Sequence, residues 1–244
     1  EPLGDLHNYA SGARVRDAVR HADRALIPEA RRVFTISRNV SARLKNFCEL
    51  DSTPLYHPPP HAEKFYREEA RDYFFFPSRV DPIKRQTLVI SALAHTREPV
   101  RVKFAGASGG GASLEDARAL AASLGVADRA EWLGEVSEGE KRELYARSLG
   151  VVYTPVDEDY GYVTLEAMLS AKPVVTCTDS GGVLEFVGDA ETGVVAAPDA
   201  ASLASALDGL WSDRQRARTL GERGRALYEQ LGISWSHVVS RLLA

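Results

Sequence analysis

From Val33 onward, short apolar runs rich in β-branched and aromatic residues alternate with amphipathic stretches, and few folds accommodate that alternation. It is the pattern of βα units feeding one parallel sheet, because parallel neighbours need a crossover long enough to hold a helix. Eight runs read as strands: 33–37, 53–56, 73–76, 100–105, 130–133, 151–154, 174–176 and 193–195. Several of them are apolar throughout rather than alternating, which predicts a sheet buried on both faces. The expected fold class is therefore α/β, a doubly wound parallel sheet with helices on both faces.

Helix boundaries are signalled locally. Ser113 precedes Leu114-Glu115-Asp116, Ser137 and Glu140 form a capping-box pattern, and Asp199 precedes Ala200-Ala201-Ser202. Gly125 and Gly150 follow apolar helical stripes and read as helix stops. After Asp199 the chain reads as almost wholly helical, ending in Trp235 and a Val238-Val239, Leu242-Leu243 stripe expected to pack. Before Val33, Gly12 to Leu26 reads as an Arg- and Ala-rich helix. Tyr56-His57-Pro58-Pro59-Pro60 breaks the pattern, because three prolines remove donors and fix φ, and it reads as an interdomain linker.

Composition narrows the function classes. With 244 residues, 44% of them hydrophobic, the chain can bury a real core, as one large domain or one domain plus part of another. A net charge of −4 gives no general attraction for nucleic acid or an anionic membrane, so any anion site must be local. No apolar run approaches the roughly 18 residues of a membrane span. Two distant cysteines, Cys48 and Cys177, point away from a disulfide scaffold and towards a reducing compartment. The six histidines, His7, His21, His57, His61, His95 and His237, have no metal-ligand spacing, and no nucleophile motif is present. Trp132, Trp211 and Trp235 read as packing residues. The opening residues lack Met and a signal-peptide layout and read as a cut or processed end.

Four segments carry chemistry, each after a strand, where an open α/β sheet binds ligands. Asp157-Glu158-Asp159-Tyr160-Gly161 precedes a helix containing Glu166, so Glu158 lies in the loop, Glu166 in the first turns, and both can face one cleft. The plain alternatives are a solvated loop acid favoured by the helix dipole and a surface helix acid. Arg79 and Lys84 flank a Pro-bounded loop and could clamp a diphosphate, or remain solvated surface charge. Gly106 begins a run of small residues through Gly111 that permits close backbone approach, though without a P-loop pattern; a flexible loop is the alternative. Gly181-Gly182 could contribute backbone amides.

In order along the chain, Ser78-Arg79…Lys84, Phe104-Ala105-Gly106, Trp132-Leu133-Gly134, Glu158…Leu165-Glu166-Ala167-Met168, Pro173-Val174-Val175 and Gly181-Gly182…Glu185 resemble the donor-binding half of glycosyltransferase family 4. These are retaining, nucleotide-sugar-dependent enzymes of GT-B fold, each half Rossmann-like. The resemblance is close from about Tyr73 to Val195. It implies that residues 59–244 are the C-terminal donor domain, and that residues 1–58 are a remnant of an N-terminal acceptor-side domain plus linker, which makes the chain a fragment.

The resemblance also implies roles. Arg79 and Lys84 would neutralise the donor diphosphate without a metal, and with Glu158 form the catalytic set. Glu166 would hold the ribose hydroxyls. Glu158 would face the transferred sugar with the backbone of Tyr160, Gly161, Tyr162 and Val163. Leu133 and Gly134 would lie near the base, and Gly106 would also line the site. No cofactor is implied beyond the nucleoside diphosphate sugar, UDP- or GDP-linked. The acceptor would be a glycan, a lipid-linked sugar or a small molecule, met in the cytoplasm or at the inner membrane face. Two departures stand out: His57-Pro58-Pro59-Pro60 where the family has Asn-Gly-Val-Asp, and acids on both sides of Glu158. The other readings are a nucleotide or nucleotide-sugar binding module without turnover, and another GT-B enzyme such as a sugar-nucleotide epimerase.

Overall fold

Phe74, Phe75 and Phe76 are each fully buried, and they point to opposite sides of the sheet in turn. Phe74 and Phe76 enter one core cluster with Val89, Leu93, Leu203 and Leu207; Phe75 enters the other with Tyr145, Ala167 and Val183. Burying a phenylalanine side chain stabilises by roughly 2–3 kcal/mol, so this strand anchors both layers. The computed structural model describes residues 9–107 and 113–244. It divides into two compact units, Glu1–His57 and Pro58–Ala244.

The described part of the first unit holds helices α1 (Gly12–Leu26) and α2 (Arg38–Cys48) and a parallel pair, β1 (Phe34–Thr35) with β2 (Thr53–Pro54). Ser37 caps α2 by accepting from Val40 N at 3.0 Å.

Among the described residues of the second unit, six strands are paired in parallel: β3 (Phe74–Pro77), β4 (Val102–Ala105), β5 (Ala130–Gly134), β6 (Gly150–Val152), β7 (Val174–Cys177) and β8 (Gly193–Ala196). Their spatial order is β5-β4-β3-β6-β7-β8. Helices α3 (Gln86–His95), α4 (Ser113–Ser123) and α7 (Ala200–Ser212) contribute to the Phe74 core. Helices α5 (Glu138–Arg147) and α6 (Tyr162–Leu169) contribute to the Phe75 core. Helix α8 (Arg214–Gln230) packs on α6, and α9 (Trp235–Leu243) ends the chain. No helix of the described residues is long and apolar enough to cross a membrane.

Each of the eight expected runs contains a strand, but 33–37 and 53–56 pair with each other apart from the six-stranded sheet instead of joining it; the expected caps at Ser137 and Asp199 are made. Two further expectations are corrected. Gly150 opens β6 instead of stopping a helix; α5 ends at Arg147, and a Cβ at Gly150 would press on the Phe74 ring and Pro173 at 3.1–3.2 Å, so packing between strands leaves little room there. Trp235 is 56% exposed, and of the C-terminal stripe Val238 is buried while Val239, Leu242 and Leu243 are exposed. The run 108–111 lies outside the described residues apart from its lead-in, Gly106 and Ala107.

Candidate functional site

The connections run outward in opposite directions from β3 and β6, so the chain direction switches between these two adjacent strands. The loops at their carboxyl ends must then part, and that crevice is where an open α/β sheet receives a ligand. The loop after β3 turns through a short 3₁₀ segment, Pro82–Lys84, capped by the Asp81 carboxylate accepting from Ile83 N at 3.0 Å. Buried Gln86 steadies the same loop by donating to the Arg79 carbonyl at 2.8 Å. Arg85, at φ +60°, ties it to its neighbours. Its guanidinium donates to the carbonyls of Thr154 and Pro155 after β6 (2.6 and 2.9 Å) and to both carboxylate oxygens of Asp179 after β7 (2.7 and 2.8 Å).

Two carboxylates are gathered on this frame. Glu158 forms an ion pair with Lys84 and accepts from the Tyr153 hydroxyl at 2.6 Å. The Lys84 and Glu158 side chains are 16% and 18% exposed, so neither is the solvated surface charge that the sequence left open. Burial pushes the Tyr153 hydroxyl far up, the Glu158 and Glu166 charges add to this, and Arg79 opposes it; Tyr153 therefore stays a neutral donor and senses both acids.

Glu166 lies in α6 and is 6% exposed, which corrects the alternative of a surface helix acid. Tyr145 donates to its Oε2 at 2.7 Å and Lys141 to its Oε1 at 3.1 Å. Burial raises the Glu166 pKa, while Lys141 and the Tyr145 hydrogen bond partly offset the rise. Burial and the adjacent Glu166 also hold Tyr145 well above its ordinary value. Burial lowers the Lys141 amine, but the charges and hydrogen bonds of Glu166 and Glu138 together outweigh it and the net shift is upward.

Glu166 opens into a cavity of about 460 Å³ whose walls include Arg79, Gly106, Lys141, Tyr162 and Val163. The Arg79 side chain is 61% exposed, with Nε 3.3 Å from Asp81. Gly106, at φ +152°, has no room for a Cβ against the Ser78 carbonyl and the Arg79 amide; its close approach is between the loops after β3 and β4. Gly161, at φ +80°, is the N-cap of α6, just before Tyr162 and Val163. Tyr160 is buried, its ring edge-on to Tyr162 and Phe186.

Leu133 and Gly134 are at the end of β5 and are not among the residues of this wall. Leu133 borders a neighbouring cavity with Tyr73 and Lys103, and the Gly134 carbonyl accepts from Gly106 N at 2.8 Å. The Gly182 amide is not free for a ligand: it donates to the Glu158 carbonyl at 2.7 Å, and a Cβ there would strike the Asp159 backbone. These glycines seat the loop after β7 against the loop after β6.

Sequence reasoning missed Arg85, Lys141, Tyr145 and Tyr153. The one local signal was the i, i+4 spacing of Lys141 and Tyr145 behind the capping box, which puts both on one face of α5. Another cavity, of about 390 Å³, lies at the opposite, amino end of the strands, beside residues preceding β3, β6 and β7. Its cations are engaged: Arg67 and Arg218 with Glu222, Arg214 with Asp72, and Lys172 with the Glu68 carbonyl at 3.1 Å.

Comparison with known proteins gives a consistent result. The family model described as glycosyl transferases group 1 matches residues 60–227. The chain is 33% identical over 176 residues to a D-inositol 3-phosphate glycosyltransferase of Nocardia farcinica, covering 69% of this chain and 38% of that protein. It is 30% identical over 204 residues to a GDP-mannose-dependent α-(1-6)-phosphatidylinositol monomannoside mannosyltransferase of Mycolicibacterium smegmatis, covering 79% and 53%. It thus spans well under two thirds of the length of either relative. Among solved structures, Anabaena HepE in complex with UDP and glucose superposes with a TM-score of 0.81 at 23% identity, over 99% of this chain and 69% of that one. The C-terminal domain of LpcC, a group 1 protein of Francisella tularensis, superposes with a TM-score of 0.62 at 21% identity, over 69% and 96%. The match across most of the second unit, together with these relatives, means that the chain belongs to the glycosyl transferases of group 1.

Proposed function

We propose that this chain carries the donor site of a retaining glycosyltransferase, which moves a sugar from a nucleoside diphosphate sugar to an acceptor. The observation that carries the reading is that Arg79 and Glu166 line one cavity, while Lys84 pairs with Glu158 across the loops after β3 and β6, where the sheet changes direction. The names of the Mycolicibacterium relative, GDP-mannose-dependent, and of the HepE complex, with UDP and glucose, agree with a donor of this class.

In this mechanism Arg79 and Lys84 bind the diphosphate and stabilise the charge that grows on it as its bond to the sugar breaks, so the step needs no metal. Lys84 leaves its pairing with Glu158 to share the phosphate. Glu158, freed on one side and still held by Tyr153, then faces the sugar. Glu166 accepts from the ribose hydroxyls, and the start of α6, at Tyr162 and Val163, lines the same cavity. The acceptor oxygen bonds to the anomeric carbon on the face that the diphosphate leaves, and its proton passes to the departing phosphate oxygen. An acceptor-side domain supplies the second substrate, a glycan, a lipid-linked sugar or a small molecule. The two buried free thiols, Cys48 and Cys177, fit a reducing compartment such as the cytoplasm, with lipid-linked acceptors met at the inner membrane face.

Calorimetric titration with UDP, GDP and ADP, without added metal, tests this. One nucleotide should bind, and an Arg79→Ala, Lys84→Ala double variant should lose about a hundredfold or more in affinity, since charge-assisted contacts to phosphate are removed. Binding of none of the three, or unchanged binding by the double variant, contradicts the reading.

A further inference from the structure

Each oxygen of the Glu166 carboxylate meets a different donor from α5, Tyr145 on Oε2 and Lys141 on Oε1. Tyr145 is fully buried, so it acts on a ligand through Glu166 alone; Lys141 stands in the cavity wall. A carboxylate offers about four lone-pair sites, so two donors on one side leave the remainder directed away from α5. We propose that Tyr145 and Lys141 are positioning residues: they fix the rotation of the Glu166 carboxylate so that its remaining lone pairs accept a pair of vicinal hydroxyls of the bound nucleotide. The proposal rests on the donor-site reading and adds what makes Glu166 selective for a ribose over a deoxyribose.

The charged and titratable groups around Glu166 are Lys141, Tyr145 and Glu138 from α5, Tyr153 from the end of β6, Tyr162 from α6 itself, and Arg79 across the cavity. Burial favours the protonated acid, whereas Lys141 and Tyr145 favour the carboxylate. Donor binding should therefore fade, as the pH falls, at a higher pH than an ordinary carboxylate would give. Loss of either partner should move that limb higher still.

The test is a titration of the chain and of its Tyr145→Phe, Lys141→Met and Glu166→Gln variants with UDP, GDP and their 2′-deoxy forms between mildly acidic and mildly alkaline pH. For whichever base binds, the unaltered chain should prefer the ribonucleotide by about tenfold or more, the worth of a hydrogen bond to a buried charge. Tyr145→Phe and Lys141→Met should each lose most of that preference while binding the deoxy form almost as before. Lys141→Met should also shift the acidic limb upward, and Glu166→Gln should abolish it. Equal weakening towards both sugars with the original pH profile would overturn the positioning role while leaving the donor site standing. Failure of the unaltered chain to bind any of the four overturns both. Lys141, in the cavity wall, keeps the test open should Tyr145→Phe fail to fold.

Discussion

Arg85 holds a left-handed backbone conformation that costs a residue with a side chain on the order of 1 kcal/mol. The return is visible in its guanidinium, which joins the loops after β3, β6 and β7 and is largely buried. Two substitutions separate strain from clamp. Arg85→Ala should destabilise the fold by about 1–3 kcal/mol, the usual cost of removing hydrogen bonds of a charged group. Arg85→Gly loses the same bonds but relieves the strain, so it should cost about 1 kcal/mol less, as read from denaturant midpoints. If the glycine variant is the less stable of the two, the strain argument fails. Nothing in the sequence distinguished Arg85 from a solvated cation, because its partners are 69 to 94 residues away. Lys84, its neighbour, stood out in sequence through order along the chain, and its pairing with Glu158 could be seen only in three dimensions.

At the scale of elements, α5 shows what was and was not legible. Its start was written in the sequence: Ser137 and Glu140 exchange hydrogen bonds as a capping box. Removing that cap by Ser137→Ala should cost about 1 kcal/mol. Because α5 delivers both partners of Glu166, the same change should weaken nucleotide binding modestly; unchanged affinity alongside a lowered melting temperature would uncouple the helix start from the site. What α5 does at its other face was hidden, since Lys141 and Tyr145 reach Glu166 only when α5 and α6 pack on one side of the sheet. The strands were legible for a physical reason: parallel strands buried on both faces read as continuous apolar runs, and no surface pattern confuses them. Gly150 and Gly182 were misread because a glycine needed for close packing looks the same in sequence as one needed for a turn or an exposed amide.

At the scale of the whole molecule, the position of the site follows from chain order. A sheet ordered β5-β4-β3-β6-β7-β8 has its crevice at the ends of β3 and β6, and Arg79, Lys84 and Glu158 come from the two loops that follow those strands. Glu166 arrives from the helix that the second loop starts. The fold class could thus be read from βα alternation, whereas the candidate residues came from their order along the chain, and that Leu133 and Gly134 do not line the Glu166 cavity could be seen only in three dimensions. The most direct measurement is a crystal structure of the chain grown with the nucleoside diphosphate that titration selects. Diphosphate oxygens should lie within hydrogen-bond distance of Arg79 and Lys84, with ribose hydroxyls on Glu166 and Lys84 drawn off Glu158. Nucleotide seated instead in the cavity beside Lys172 and Arg218, or a saturated crystal with the Lys84–Glu158 pair intact and the Glu166 cavity empty, would contradict the donor-site reading.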